Sequence, residues 1–234
     1  MQNKVERYFN APIQLYKGFV LDCDTCLFNI VRYACFEYTI KNDCTIKDAV
    51  NFYGINIGDN TKSNLQRAFE IGKELHEKIP INSPMVGINK EVFFKYKSED
   101  KTEFEKICLL AYLSIKSIVQ NKSYCKIDNK FLLSRMDGNP SVIDLNKLSP
   151  EIKKHSKEYQ LVKIKNELIK SWNLKHYSRY TRGFYVSFSM ELEDLIYEAE
   201  KKRKTYLEKL QKELQKVAVA KALDKLKNTT ITRP

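Results

Sequence analysis

Glycine and proline are scarce in this chain of 234 residues, 7 and 6 respectively. That scarcity excludes collagen-like and linker-rich architectures. No apolar run approaches the roughly 20 residues a helix needs to cross a bilayer. Met1 to Asn10 is polar and charged, without the apolar centre of a signal peptide. The expectation is a soluble, cytoplasmic protein with no membrane partner. Six cysteines (Cys23, Cys26, Cys35, Cys44, Cys108, Cys125) are too few and too scattered for a disulfide scaffold and read as free, mostly buried thiols. There is no glycine-rich phosphate loop, no internal repeat and no low-complexity tract. What the chain has in quantity is charge and aromatic rings. Charged residues make up 30%, aromatic residues 12% and hydrophobic residues 43%, enough to bury a core and to argue against intrinsic disorder.

The net charge of +12 is not spread evenly. Residues 1–120 carry 16 basic and 15 acidic side chains, whereas residues 121–183 carry 14 and 6. Two thirds of the excess therefore lies in about a quarter of the chain. Concentrated cations suit a polyanion partner, because each one near a phosphate releases condensed counterion. A solvated basic face without a partner is the alternative.

The first 95 residues are expected to be mainly helical. Asp24 is placed to cap a helix from Thr25 to about Lys41, and Asn60 or Thr61 to start another that ends before Pro80. Pro12 to Leu21 is read as extended, Glu91 to Tyr96 as a short strand, and Ile81 to Asn89 as a boundary. Thr102 and Glu105 have the spacing of a capping box ahead of an amphipathic helix reaching about Gln120. Tyr124 to Ile127 reads as an extended link, and Asp128 as the cap of a short helix stopped by Gly138 and Pro140. Ser149-Pro150-Glu151 is a further start signal, with a break expected near His155-Ser156. The helix beyond places Leu161, Ile164, Leu168 and Trp172 on one stripe. Leu174 to Ser178 and Phe184 to Ser189 are β-favouring runs joined by Arg179-Tyr-Thr-Arg-Gly183, a loop suited to a hairpin.

The order helix, helix, basic helix, hairpin over residues 102–189 resembles a winged helix-turn-helix. The resemblance is one of pattern and spacing, with a longer loop at 138–149 than a simple helix-turn-helix has. It implies a mainly α fold with a small β-hairpin wing: a helical N-terminal region (1–95), a winged-helix domain (96–189) and a long C-terminal helix (190–234). It also implies that the third helix enters the major groove and the wing touches a neighbouring groove or the backbone. Carried onto this sequence, Gln160, Lys163, Asn166 and Lys170 would face DNA, with Ser156 and Lys157 near the helix start and Lys175, Arg179 and Arg182 on the wing. Gln and Asn suit adenine edges, Lys suits phosphate or guanine, and an Arg-tipped wing suits a narrow minor groove.

Other motifs fail on spacing. Leu21-Asp-Cys-Asp-Thr-Cys-Leu27 resembles the phosphatase signature of the haloacid-dehalogenase family, with Asp22 as nucleophile and Asp24 as general acid. The helical segment that follows leaves no room for that family's βα units. Cys26 and Cys35, nine residues apart on one predicted helix, point about 180° from each other and cannot share zinc. His76 reads as a helix-surface residue, and His155 and His176 as surface residues of the basic region. From Met190 to about Lys227 the chain reads as one helix with an apolar stripe through Leu207, Leu210, Leu214 and Val217. That stripe suits a short dimeric coiled coil or packing on the N-terminal helices. The expectation is a non-enzymatic double-stranded-DNA-binding protein without metal or cofactor: a transcription regulator, or a replication or partition factor of a mobile element. RNA binding stays open, with Tyr180, Tyr185 and Phe184 as candidate stacking residues. A protein-interaction or inhibitor module presenting a cationic surface to an acidic partner or nucleoprotein complex is the other reading.

Overall fold

In the computed structural model, which describes residues 7–22, 24–179 and 183–230, the mainly helical expectation holds. The chain enters through a strand, β1 (Tyr8–Pro12), and pairs antiparallel with β2 (Met85–Asn89) only after four helices have intervened. Asn10 lies opposite Gly87, where an added Cβ would sit 2.5 Å from Asn10 Oδ1, so a larger residue there would displace the exposed Asn10 side chain. The intervening helices are α1 (Ile13–Asp22), α2 (Asp24–Asn42), α3 (Ile46–Tyr53) and α4 (Lys62–Lys78). A fifth, α5 (Lys90–Ser98), follows β2 directly.

Two local expectations are corrected. The run read as extended from Pro12 is strand only to Pro12 and helix from Ile13. Ile13, Tyr16, Phe19 and Val20 recur at helical spacing and are all buried. The run read as a strand at 91–96 is α5, capped by Asn89, whose Oδ1 accepts from Glu91 N–H at 2.9 Å. The strand lies one step earlier, in the stretch read as a boundary. Phe9 of β1 meets Tyr53 and Phe93 at ring-centroid distances of 5.0 and 5.5 Å, so strand and helices share one aromatic centre.

The second half is built on α6 (Glu103–Val119), which starts at the expected capping box: Glu105 N–H donates to Thr102 Oγ1, and Thr102 N–H to Glu105 Oε2 at 2.9 Å. This helix is not amphipathic as expected. Ten residues from Ile107 to Val119 are buried, on every side, because α1 and β2 cover one flank and α7 (Asn129–Met136) and α9 (Glu158–Ser171) the other. A single hydrophobic cluster therefore runs from Phe9 to Val186. The short helix α8 (Pro150–Lys153) precedes α9, with the anticipated break at His155-Ser156. The link at 124–127 contains a strand, β3 (Cys125–Ile127). With β4 (Lys175–Tyr177) and β5 (Phe184–Ser187) it forms an antiparallel sheet in the order β3-β5-β4. Asp137 fastens the halves: its carboxylate accepts from Lys17 Nζ at 2.6 Å, Ser149 Oγ at 2.6 Å and Ser149 N–H at 3.1 Å.

The last helix, α10 (Leu192–Thr230), is continuous as expected. Leu195 and Ala199 are buried where it crosses β4 and β5, and every residue from 201 to 221 is exposed. No described helix is long and apolar enough to cross a membrane.

Candidate nucleic-acid interface

Helix α9 lies with Leu161, Ile164 and Leu168 in the core and Trp172 half-buried, its ring 4.5 Å from that of Tyr112. With that stripe fixed inward, the 3.6-residue period decides the outward face. It consists of Tyr159, Lys163, Asn166 and Lys170, flanked by Val162 and Ile169. Lys163, Asn166 and Lys170 are thus exposed and share one face, as expected. Lys157 is exposed at the N-cap position, and Ser156 is half-buried in the break before it. Gln160 falls off this face: it is half-buried on the flank, and its Nε2 donates to the Tyr159 hydroxyl at 2.6 Å. Lys165 is turned inward, its Nζ 4.5 Å from the Phe184 ring centroid and its pKa lowered by burial.

Tyr159, Val162 and Ile169 are 54%, 44% and 43% exposed, and reading the sequence for cations and amides passed over them. The helical wheel holds the signal: Lys163, Asn166 and Lys170 stand at i+4, i+7 and i+11 from Tyr159, whereas Gln160 is one step out of phase. Lys163 Nζ lies 5.1 Å from the Tyr159 ring centroid. Among the described residues, Lys157, Lys163 and Lys170 have no carboxylate within ion-pairing distance.

The β4-β5 hairpin carries less free charge than its composition suggests. Lys175 is half-buried with its Nζ 3.5 Å from Glu191, and Arg179 Nη1 is 3.4 Å from Glu200. Glu191 immediately precedes α10 and Glu200 lies on it, where its N-terminal turns cross the sheet. Arg182 and Tyr180 lie outside the described residues. Phe184 is 3% exposed, which removes it as a stacking surface, whereas Tyr185 is half-buried on the opposite face of the same strand.

The two histidines of the basic region are not surface residues. His155 is 8% exposed with no hydrogen bond to either ring nitrogen and its Nε2 4.0 Å from Glu103; burial lowers its pKa, with Lys154 adding to the effect and Glu103 opposing it. His176 is half-buried against Phe184, and burial takes its pKa down to about 4. Neither carries a proton to a phosphate near neutral pH. His76 does sit on the surface of α4, with its Nε2 3.1 Å from Glu37. Cys35 and Cys108 are buried free thiols; Cys44 and Cys125 are free and half-buried. Cys23 and the side chains of Asp22, Asp24 and Cys26 lie outside the described residues. The backbone before Asp22 is helix α1, so the apolar strand that the phosphatase signature requires is absent from the described residues. Comparison with family models, with curated proteins and with solved structures finds no match for this chain.

Proposed function

We propose that residues 103–187 form a winged helix-turn-helix and that the protein is a non-enzymatic binder of double-stranded DNA. The observation that carries this reading is a conjunction. The chain runs α6, β3, α7, α8, α9, β4, β5, its strands pair in the order β3-β5-β4, and α9 turns Lys163, Asn166 and Lys170 outward together. In this reading α9 lies in the major groove. Its lysines bind phosphate or guanine, Asn166 reads an adenine edge, and Val162 and Ile169 pack on thymine methyl groups. The paired wing cations Lys175 and Arg179 add less than the helix does. Transcription regulator and replication or partition factor of a mobile element both accord with it. The exposed stripe of α10 serves as a homodimer seam, which sets two α9 helices on paired half-sites. RNA duplex is the poorer ligand, because its deep, narrow major groove does not admit a helix.

The test is binding of the chain to a random duplex pool over a salt series. A steep fall in affinity with salt supports the reading. Lys163→Ala with Lys170→Ala reduces the slope of log K against log salt by roughly 1.8, about 0.9 for each phosphate no longer neutralised. The second reading, a protein-docking face, is favoured by Tyr159, Val162 and Ile169. It requires an interface that is insensitive to salt and weakened by Val162→Asp.

A further inference from the structure

The outward face of the β3-β5-β4 sheet is crossed by α10, and between them lies a cleft of about 420 Å3. One row of the sheet floors it: Lys126 on β3 stands opposite Tyr185 on β5, which stands opposite Tyr177 on β4. Lys202, Arg203 and Tyr206 of α10 form the facing wall. Helix docking alone does not account for this lining. Elsewhere on the sheet the cations meet carboxylates, but among the described residues Lys126 and Lys202 do not; they meet tyrosine rings. Lys126 Nζ is 5.7 Å from the Tyr185 centroid, and Lys202 Nζ is 4.5 Å from that of Tyr124, whose ring is 6.4 Å from Tyr185. The one acid in the lining, Glu200, is already engaged. It accepts from the Tyr177 hydroxyl at 2.7 Å and pairs with Arg203 at 2.6 Å and Arg179 at 3.4 Å. Neither lysine has a carboxylate within ion-pairing distance among the described residues, although Lys202 bonds to the Tyr124 hydroxyl with Glu198 nearby, and a further ring of the cleft, Tyr206, is 65% exposed.

Cations interleaved with tyrosines match a ligand that carries a phosphate and a planar ring together, which is a nucleotide. Bases inside a duplex stack on each other and offer no free face, so the matching nucleotide is an unpaired one. We propose that this cleft takes an unpaired nucleotide of a DNA strand, its base against the tyrosines and its phosphate between Lys126 and Lys202. The protein then engages DNA where duplex passes into single strand. The proposal rests on the duplex reading for the polymer and adds to it a second site on the far side of the wing sheet from the core.

The experiment is fluorescence anisotropy with the full chain and four probes: a blunt duplex, the same duplex with an oligo-dT overhang, oligo-dT alone, and free dTMP as competitor. The overhang raises affinity about tenfold over the blunt duplex. Tyr206→Ala with Lys126→Gln brings that ratio to about one without changing blunt-duplex affinity, and Tyr206→Phe, which keeps the ring, retains it. Both altered side chains are exposed, so the fold tolerates the changes. An overhang without effect, or an effect that survives the double substitution, overturns the proposal; saturation of the cleft by micromolar dTMP overturns the assignment to a strand. If the blunt duplex goes unbound while oligo-dT binds in a Tyr206-dependent way, the duplex reading fails and the cleft stands.

Discussion

His176 makes the larger of two histidine contributions to the acid sensitivity of the fold. Burial depresses its pKa from the ordinary 6.5 to about 4, and the nearby Lys165 adds to the effect. The unfolded chain therefore takes up a proton between those values that the folded chain refuses. The stability from the neutral ring is complete above about pH 6.5 and is lost as pH falls toward 4. His155, lowered for the same reason, acts in the same direction. Urea unfolding at pH 7 and pH 5 is expected to show a loss that His176→Gln reduces by about 1 kcal/mol, once partial exposure of the ring is discounted. Carboxylates with lowered pKa lose most of their contribution as pH falls below about 4.5, under the pH 5 measurement. Asp137 is the complementary case. Its three donors come from α1 and from the turn into α8, and Asp137→Ala leaves them without an acceptor in a place largely closed to water. The expected cost is about 2–3 kcal/mol in the same assay. In the pair Lys175–Glu191 the acid is exposed and the lysine only half-buried, and Lys175→Ala is expected to cost under about 0.5 kcal/mol.

Helices α2 and α4 cross at Gly72, where an added Cβ would meet the Arg32 carbonyl oxygen and the Phe36 Cβ, both at 2.7 Å. Alanine is the better helix former by about 1 kcal/mol. Against that, the obstruction is backbone, which cannot step aside as the end of a long side chain does, and overpacking of this kind costs about 1–3 kcal/mol. The clash wins, and Gly72→Ala is expected to lower the thermal midpoint. Elements with a local signature were legible in the sequence: α6 from its capping box, α7 from Asp128, and the α8–α9 break from Pro150 and Ser156. The runs at 13–22 and 91–96 were not. Each is a short apolar stretch of a length that suits strand or helix, and only the aromatic centre around Phe9 and Phe93 selects the helix. The amphipathic reading of α6 failed for a related reason: periodicity within one segment does not reveal that a second layer covers its polar side. At α9 the inward stripe was legible, and its outward cations with it. Gln160 was misplaced because the rotation of the helix is set by what packs beneath it. The pairs of Glu191 and Glu200 with the hairpin cations were not legible because they join segments whose spatial contact no local pattern announces.

At the scale of the whole molecule, α10 sets the test with the widest reach. Its first turns are fastened to the sheet by Leu195 and Ala199, yet Leu207, Leu210, Leu214 and Val217 face solvent at 39–62% exposure. Spacings of three, four and three residues give barely two heptads of seam. Four apolar side chains from each of two helices, at about 1.5–3 kcal/mol for full burial, supply a gross gain of about 12–24 kcal/mol. Association costs of about 4–15 kcal/mol and the incomplete burial at so short a seam take most of that back. The expected self-association is therefore weak, with a midpoint in the micromolar range and reversible on dilution. Sedimentation velocity across concentration reads this directly. Leu210→Lys with Leu214→Lys is expected to hold the chain monomeric at every concentration while leaving its thermal midpoint at low concentration unchanged, since neither side chain is buried within its own chain. A fall in that midpoint would mean that the helix packs on its own chain, and the proposed pairing of half-sites on DNA would lose its geometric basis.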